Sequence, residues 1–107
     1  MQKSQLSGKT ALVTGSTSGI GLGIAQALAA EGANIVFNGF GDAAEIAKLQ
    51  QVTAKDFQVE TLYCNADMTK PEDIAQMMQD AAARFGSVDI LVNNAGLGLG
   101  GAEKERK

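Results

Sequence analysis

Eight residues, Thr14-Gly15-Ser16-Thr17-Ser18-Gly19-Ile20-Gly21, constrain this chain more than any others. They follow an apolar run, Ala11-Leu12-Val13, and lead into an alanine-rich helical pattern, Leu22 to Ala30. Strand, glycine-rich turn and helix, in that order, make the setting in which backbone N–H groups cradle a pyrophosphate. Each glycine has its own job. Gly15 takes backbone angles that a Cβ forbids in a tight turn. Gly19 lets the backbone come close to a phosphate, and Gly21 lets the helix pack against the strand. The unpaired N–H groups and the positive end of the helix then face the anion. The bland alternative is a plain turn, but a plain turn does not need this junction.

The rest of the chain alternates strand and helix, which implies a parallel sheet with helices on its faces. Met1 to Leu6 is a polar leader, and Thr10 to Thr14 reads as the first strand. Ser18 to Ala30 reads as a helix with Ile20, Ile24 and Leu28 on one face, and Gly32 stops it. Ile35-Val36-Phe37 is the second strand. Asp42 offers an N-cap, with Glu45 three residues on as in a capping box. The helix from Ala43 to about Lys55 carries Ile46, Leu49 and Val52. Val59 to Cys64 is the third strand. Thr69-x-x-Glu72, with Pro71 in the first turn, opens the next helix. There Ile74, Met77, Met78, Ala81 and Phe85 form a core stripe, and Gly86 ends it. Val88 to Asn93 is the fourth strand. Right-handed crossovers give the strand order 3-2-1-4, half of a doubly wound α/β Rossmann sheet with helices on both faces. The crevice between strands 1 and 4 is then the switch point where a cofactor lies. Residues 1–96 form this half-domain, and 97–107 form a flexible tail, glycine-rich and then charged.

Composition closes off other classes. At 107 residues the chain makes one small domain at most. A net charge of −3, spread along the chain, leaves no footprint for nucleic acid or an anionic membrane. The chain has no His and one Cys, Cys64, which argues against a zinc site. Cys64 lies in an apolar strand and reads as a buried structural thiol. No charged-then-apolar leader opens the chain and no apolar run spans a bilayer, so the expectation is a soluble, cytoplasmic protein.

The spacing Gly-x-x-x-Gly-x-Gly of the turn resembles the short-chain dehydrogenase/reductase family. Asn93-Asn94-Ala95-Gly96, after Asp89-Ile90-Leu91-Val92, is similar to that family's fourth-strand signature, and Asp67 matches the position that meets the adenine ring. The resemblance covers Lys9 to about Gly96. Within the family, Thr14 to Ala25 and the loop Val36-Phe37-Asn38-Gly39-Phe40-Gly41-Asp42-Ala43-Ala44-Glu45-Ile46 look most like the bacterial D-3-hydroxybutyrate dehydrogenases. The resemblance implies a dinucleotide held by Gly15, Ser16, Thr17, Ser18, Gly19, Ile20, Gly21, Phe40, Asp67, Met68, Asn94, Ala95 and Gly96. No basic residue stands among Ser18, Asn38, Gly39 and Phe40 to meet a 2′-phosphate, so NAD is expected over NADP. The acid that usually marks NAD is missing from Gly39, and Asp42 comes too late in the chain to reach the ribose.

The family's chemistry uses a Tyr general acid/base, a Lys four residues on and a Ser. This chain has one tyrosine, Tyr63, in a strand, and the residue four on is Asp67. No catalytic residue is therefore assigned. After Gly96 the chain departs from the family, with Leu97, Gly98 and Leu99. Two readings follow. One is the cofactor-binding half of an NAD-dependent secondary-alcohol dehydrogenase, converting 3-hydroxybutyrate to acetoacetate and inactive alone. The other is a non-catalytic nucleotide-binding or self-associating fragment. An unpaired edge on strand 4 also predicts a homo-oligomer formed through it.

Overall fold

The computed structural model describes residues 5–94. Seven elements alternate along them: β1 (Thr10–Val13), α1 (Gly19–Ala30), β2 (Asn34–Asn38), α2 (Ala43–Phe57), β3 (Thr61–Cys64), α3 (Pro71–Phe85) and β4 (Ile90–Val92). The sheet has the order β3-β2-β1-β4, and every neighbouring pair is parallel. This is the α/β arrangement expected from the alternation of patterns. Ala95, Gly96 and the proposed 97–107 tail lie outside the described residues.

Strand periodicity sorts the core into two clusters. Ala11 and Val13 of β1, Ile35 and Phe37 of β2, and Ala25 and Ala29 of α1 form one, with Leu49 and Phe57 of α2 packed against it. Leu12, Val36 and Cys64 point to the opposite face and meet Met77 and Ala81 of α3. Helices therefore cover both faces. Leu91 of β4 falls between Ile90 and Val92, which join the first cluster, and it is 58% exposed.

Several local expectations give way to tertiary packing. The buried face of α1 is Gly21, Ala25 and Ala29. Ile24 and Leu28 flank it, and Ile20 is 76% exposed. Small side chains let the helix approach the sheet, so the larger ones are displaced to the sides. In α2, Thr53 is buried while Val52 is 43% exposed. Seven residues make nearly two turns, so Thr53 returns beneath Ile46 and Val52 drifts off the face. The third strand starts at Thr61 and not Val59, because Val59 N–H is spent on Ala54 O beyond the left-handed Gln58. The fourth spans only Ile90–Val92, although Asp89 still pairs with Thr10 through both its N–H and its carboxylate. The box Thr69-x-x-Glu72 does not form. Asp67 Oδ1 takes both the hydroxyl and the N–H of Thr69, and Lys70 is left at the N-cap of α3. At α2 the cap is as expected, Asp42 Oδ2 accepting from Glu45 N–H.

Among the described residues, no helix is long and apolar enough to cross a membrane.

Two glycines of α1 should respond in opposite directions. A Cβ on Gly21 would sit 2.1 Å from Gly15 O and 2.6 Å from Asn94 Nδ2. Gly21→Ala should cost about 1–3 kcal/mol, as overpacking does. A Cβ on Gly23 meets nothing within 4 Å. Gly23→Ala should stabilise the chain by about 0.5–1 kcal/mol through helix propensity. Urea unfolding of the two variants beside the wild type checks both signs.

Candidate dinucleotide-binding site

The glycine-rich loop leaves β1 at Thr14, whose N–H bonds to Val92 O across the switch point. Gly15 and Gly19 have φ near +60° (60° and 61°), which disfavours any side chain. Around Gly19 there is open space, since a Cβ there would meet nothing within 4 Å. Its left-handed backbone is therefore what requires glycine, and the space beside it suits an approaching anion. Gly21 packs against the loop and β4 end, Gly15 O and the Asn94 amide, where the sequence suggested the strand. Ser18 stands at the N-cap of α1 without a side-chain cap, and the first turn has no acid. That helix start keeps its N–H donors and its positive dipole end for an anion.

Asn38, the last residue of β2, organises the loop from inside. It is 2% exposed. Its Oδ1 accepts from Gly15 N–H at 3.2 Å, and its Nδ2 donates to Cys64 O and Ala66 O at 3.1 Å each. Its backbone completes the arrangement. Ser16 N–H donates to Asn38 O at 2.6 Å, and Asn38 N–H donates to Ser16 Oγ at 3.0 Å. Sequence reasoning treated Asn38 as a marker of cofactor choice. Both of its amide hydrogens are spent inside the protein, and its burial keeps the side chain from a ribose. The available signal was a polar residue closing an apolar strand beside the glycine turn.

The loop after β2 is fixed by side chains from both neighbours. Thr17 Oγ1 donates to Phe40 O at 3.1 Å, and the Tyr63 hydroxyl donates to Gly39 O. Gly39 has φ +149°, and a Cβ there would lie 2.6 Å from Thr17 Oγ1. Held in this way, the Phe40 ring stands 69% exposed beside the glycine-rich loop. Burial, then Cys64, pushes the Tyr63 phenol up, so it stays protonated. Burial, then Asp80, pushes the Cys64 thiol up, as suits a structural cysteine.

The remaining sequence-assigned residues divide by position. Thr17, Ser18, Gly19, Ile20 and Phe40 share the loop edge, and Asn94 reaches it through Gly15 O. Ser16 is wholly buried and supports the loop from beneath. Asp67 lies on the loop after β3. The Thr69 hydroxyl, then its N–H, holds the Asp67 carboxyl below the usual carboxylate range, so it is an anion near neutral pH. Met68 packs with the cluster under α3. Ala95 and Gly96 lie outside the described residues. Among the described residues, no group of three or more His, Cys, Asp or Glu is placed to hold a metal ion.

Replacing Asn38 tests the internal role. Asn38→Leu keeps the approximate size but strands Gly15 N–H, Cys64 O and Ala66 O. The loss of these three hydrogen bonds, two of them buried, should cost about 2–4 kcal/mol in chemical denaturation. A change below about 0.5 kcal/mol, the ordinary range for a surface site, would contradict the role.

Comparison with known proteins gives the same placement. The short chain dehydrogenase family profile matches residues 9–107. The chain is 59% identical over 96 residues to a D-beta-hydroxybutyrate dehydrogenase of Cupriavidus necator, covering 86% of this chain and 35% of the relative. It is 57% identical over 89 residues to the enzyme of that name from Rhizobium meliloti, covering 83% and 34%. The chain thus spans about a third of the length of these relatives. Among solved structures, L-sorbose reductase from Gluconobacter frateurii, complexed with NADPH and L-sorbose, superimposes with a TM-score of 0.81 at 37% identity, covering 94% of this chain and 37% of that one. The glycine-rich loop, the parallel sheet and these likenesses agree: the chain belongs to the short-chain dehydrogenase family.

Proposed function

We propose that this chain is the cofactor-binding part of an NAD-dependent short-chain dehydrogenase that oxidises a secondary alcohol, 3-hydroxybutyrate to acetoacetate. The observation that carries the reading is the start of α1. An uncapped, acid-free helix N-terminus adjoins a glycine held at φ +61° with open space before it. A pyrophosphate takes the N–H groups of Gly19, Ile20 and their neighbours there. The Asp67 carboxylate faces the adenine end, and Asn94 shapes the nicotinamide end of the crevice. The likeness to D-beta-hydroxybutyrate dehydrogenases supports the choice of alcohol.

When bound, the nicotinamide supplies the hydride acceptor. The alcohol also needs a base and a fixed position. Tyr63 is the sole tyrosine, no Lys lies four residues after it, and its hydroxyl donates to Gly39 O. General acid–base catalysis contributes about 10²–10⁴-fold, and positioning contributes further. Neither is assembled among the described residues. The purified chain, checked by mass and free of host dehydrogenase, should bind NAD weakly by calorimetry and form no NADH from 3-hydroxybutyrate. Turnover that vanishes in Gly19→Trp would show that another set of residues performs the chemistry.

The proposal extends to association. Among the described residues, β4 pairs with β1 on one side only, and Leu91 is 58% exposed on the face where α3 packs under Leu12. An open apolar parallel edge invites a second copy. Light scattering over a concentration series should show the mean mass rising above the monomer. A constant monomer mass would contradict the association.

A further inference from the structure

Thr69 has the spacing of a cap for α3, yet both of its donors go elsewhere. Its hydroxyl donates to Asp67 Oδ1 at 2.7 Å, and its N–H donates to the same atom at 2.9 Å. Lys70 takes the N-cap in its place and supplies no side-chain bond. A Thr at that position ordinarily stabilises the helix it opens. That contribution is forgone here, and the return is a carboxylate held still.

The backbone around this carboxylate is held as well. Ala66 O accepts from Asn38 Nδ2 at 3.1 Å. Asp67 N–H donates to Asp73 Oδ2 at 2.9 Å, which ties it to the first turn of α3. Asp67 O accepts from Lys70 N–H at 2.9 Å. Oδ1 carries both Thr69 donors, and among the described residues Oδ2 has no hydrogen-bond partner. The Thr69 hydroxyl, then its N–H, keeps the carboxyl ionised near neutral pH. An ionised carboxylate has no proton to give, so Oδ2 can only accept.

We infer that Thr69 is a positioning residue of the dinucleotide site, holding Asp67 so that Oδ2 meets an exocyclic amino group and selects adenine over an oxopurine such as hypoxanthine. This deepens the dinucleotide reading, in which Asp67 faces the base, and rests on it. The two bases present opposite patterns. Adenine carries an amino donor on the ring and an acceptor at the ring nitrogen beside it. Hypoxanthine carries an oxygen in place of the amino group and a donor at that nitrogen. A carboxylate free to turn follows the donor from one atom to the other. One whose first oxygen is clamped by a hydroxyl and an N–H cannot follow, and its second oxygen then opposes the oxygen of the base. A site built around one donor rejects the analogue that lacks it.

The test titrates NAD, and the analogue with hypoxanthine in place of adenine, into the 107-residue chain and its Thr69→Val, Thr69→Ser and Asp67→Asn variants by calorimetry. Thr69 is exposed, so the variants should fold, and circular dichroism verifies it. The wild type should prefer NAD. Thr69→Val keeps the size and the N–H but loses the hydroxyl, and it should narrow that preference about threefold to tenfold. Thr69→Ser keeps the hydroxyl and should restore it. Asp67→Asn puts an amide donor where Oδ2 stood and should reverse it. A merely structural role for Thr69 would lower both affinities in step and leave their ratio level. A Thr69→Val chain with the wild-type ratio therefore overturns the inference and leaves dinucleotide binding intact. A wild type that binds both dinucleotides equally, or an Asp67→Asn chain that still prefers NAD, does the same. A wild type that binds neither overturns the dinucleotide reading itself.

Discussion

The side-chain amide of Asn38 makes three hydrogen bonds to backbone groups of two loops that follow other strands. Parallel strands leave their connecting loops at the same end of the sheet, with nothing in the ladder to fix them relative to one another. Asn38 supplies that fixation. One oxygen holds Gly15 and one nitrogen holds the exit from β3, so the loops after β1 and β3 take their positions from the end of β2. Ser16 doubles the link by exchanging bonds with the Asn38 backbone. Ser16, Cys64 and Ala66 are buried, which makes their bonds to Asn38 costly to leave unmade.

This internal frame leaves the outer surface of the glycine-rich loop open. The polar groups facing the protein are satisfied by Asn38, Asn94 and Thr17. The start of α1, facing outward, has no side chain competing for it. The loop is thus held from behind while its front stays available. Preorganisation of this kind lowers the ordering cost that a bound dinucleotide would otherwise meet.

The architecture was legible because it depends on periodicity and punctuation. Gly32 and Gly86 stop their helices with φ of 98° and 90°, and the apolar runs of β1 and β2 lie in the middle of the sheet as expected. The departures share a physical origin. Sequence reading looks for bulky apolar residues, whereas α1 buries glycine and alanine because closeness to the sheet is what it needs. Thr69 looks like a cap by spacing, yet the nearby Asp67 carboxylate is the better partner for its hydroxyl and N–H. Asn38 was noticed for its position and its lack of charge, but its hold on two loops was not legible, since a residue bonded to positions 23 to 28 away in sequence carries no local signature. Within the site, Thr17, Ser18, Gly19, Ile20 and Phe40 share one loop edge, Asn94 reaches it through Gly15 O, and Met68 packs partly against the cluster beneath α3.

Gly39 carries a consequence for how such a site can change. A Cβ there would lie 2.6 Å from the Thr17 hydroxyl, too close for contact, and its φ of +149° disfavours a side chain independently. Positions 17 and 39 therefore form a linked pair across two loops. A larger residue at 39 requires a smaller one at 17 and a different backbone, three changes that are each unfavourable alone. Drift at the end of β2 is blocked by this epistasis. In the first turn of α2, by contrast, Asp42 and Glu45 are exposed, and a substitution at Asp42 disturbs the cap on Glu45 N–H without requiring a change in a second loop.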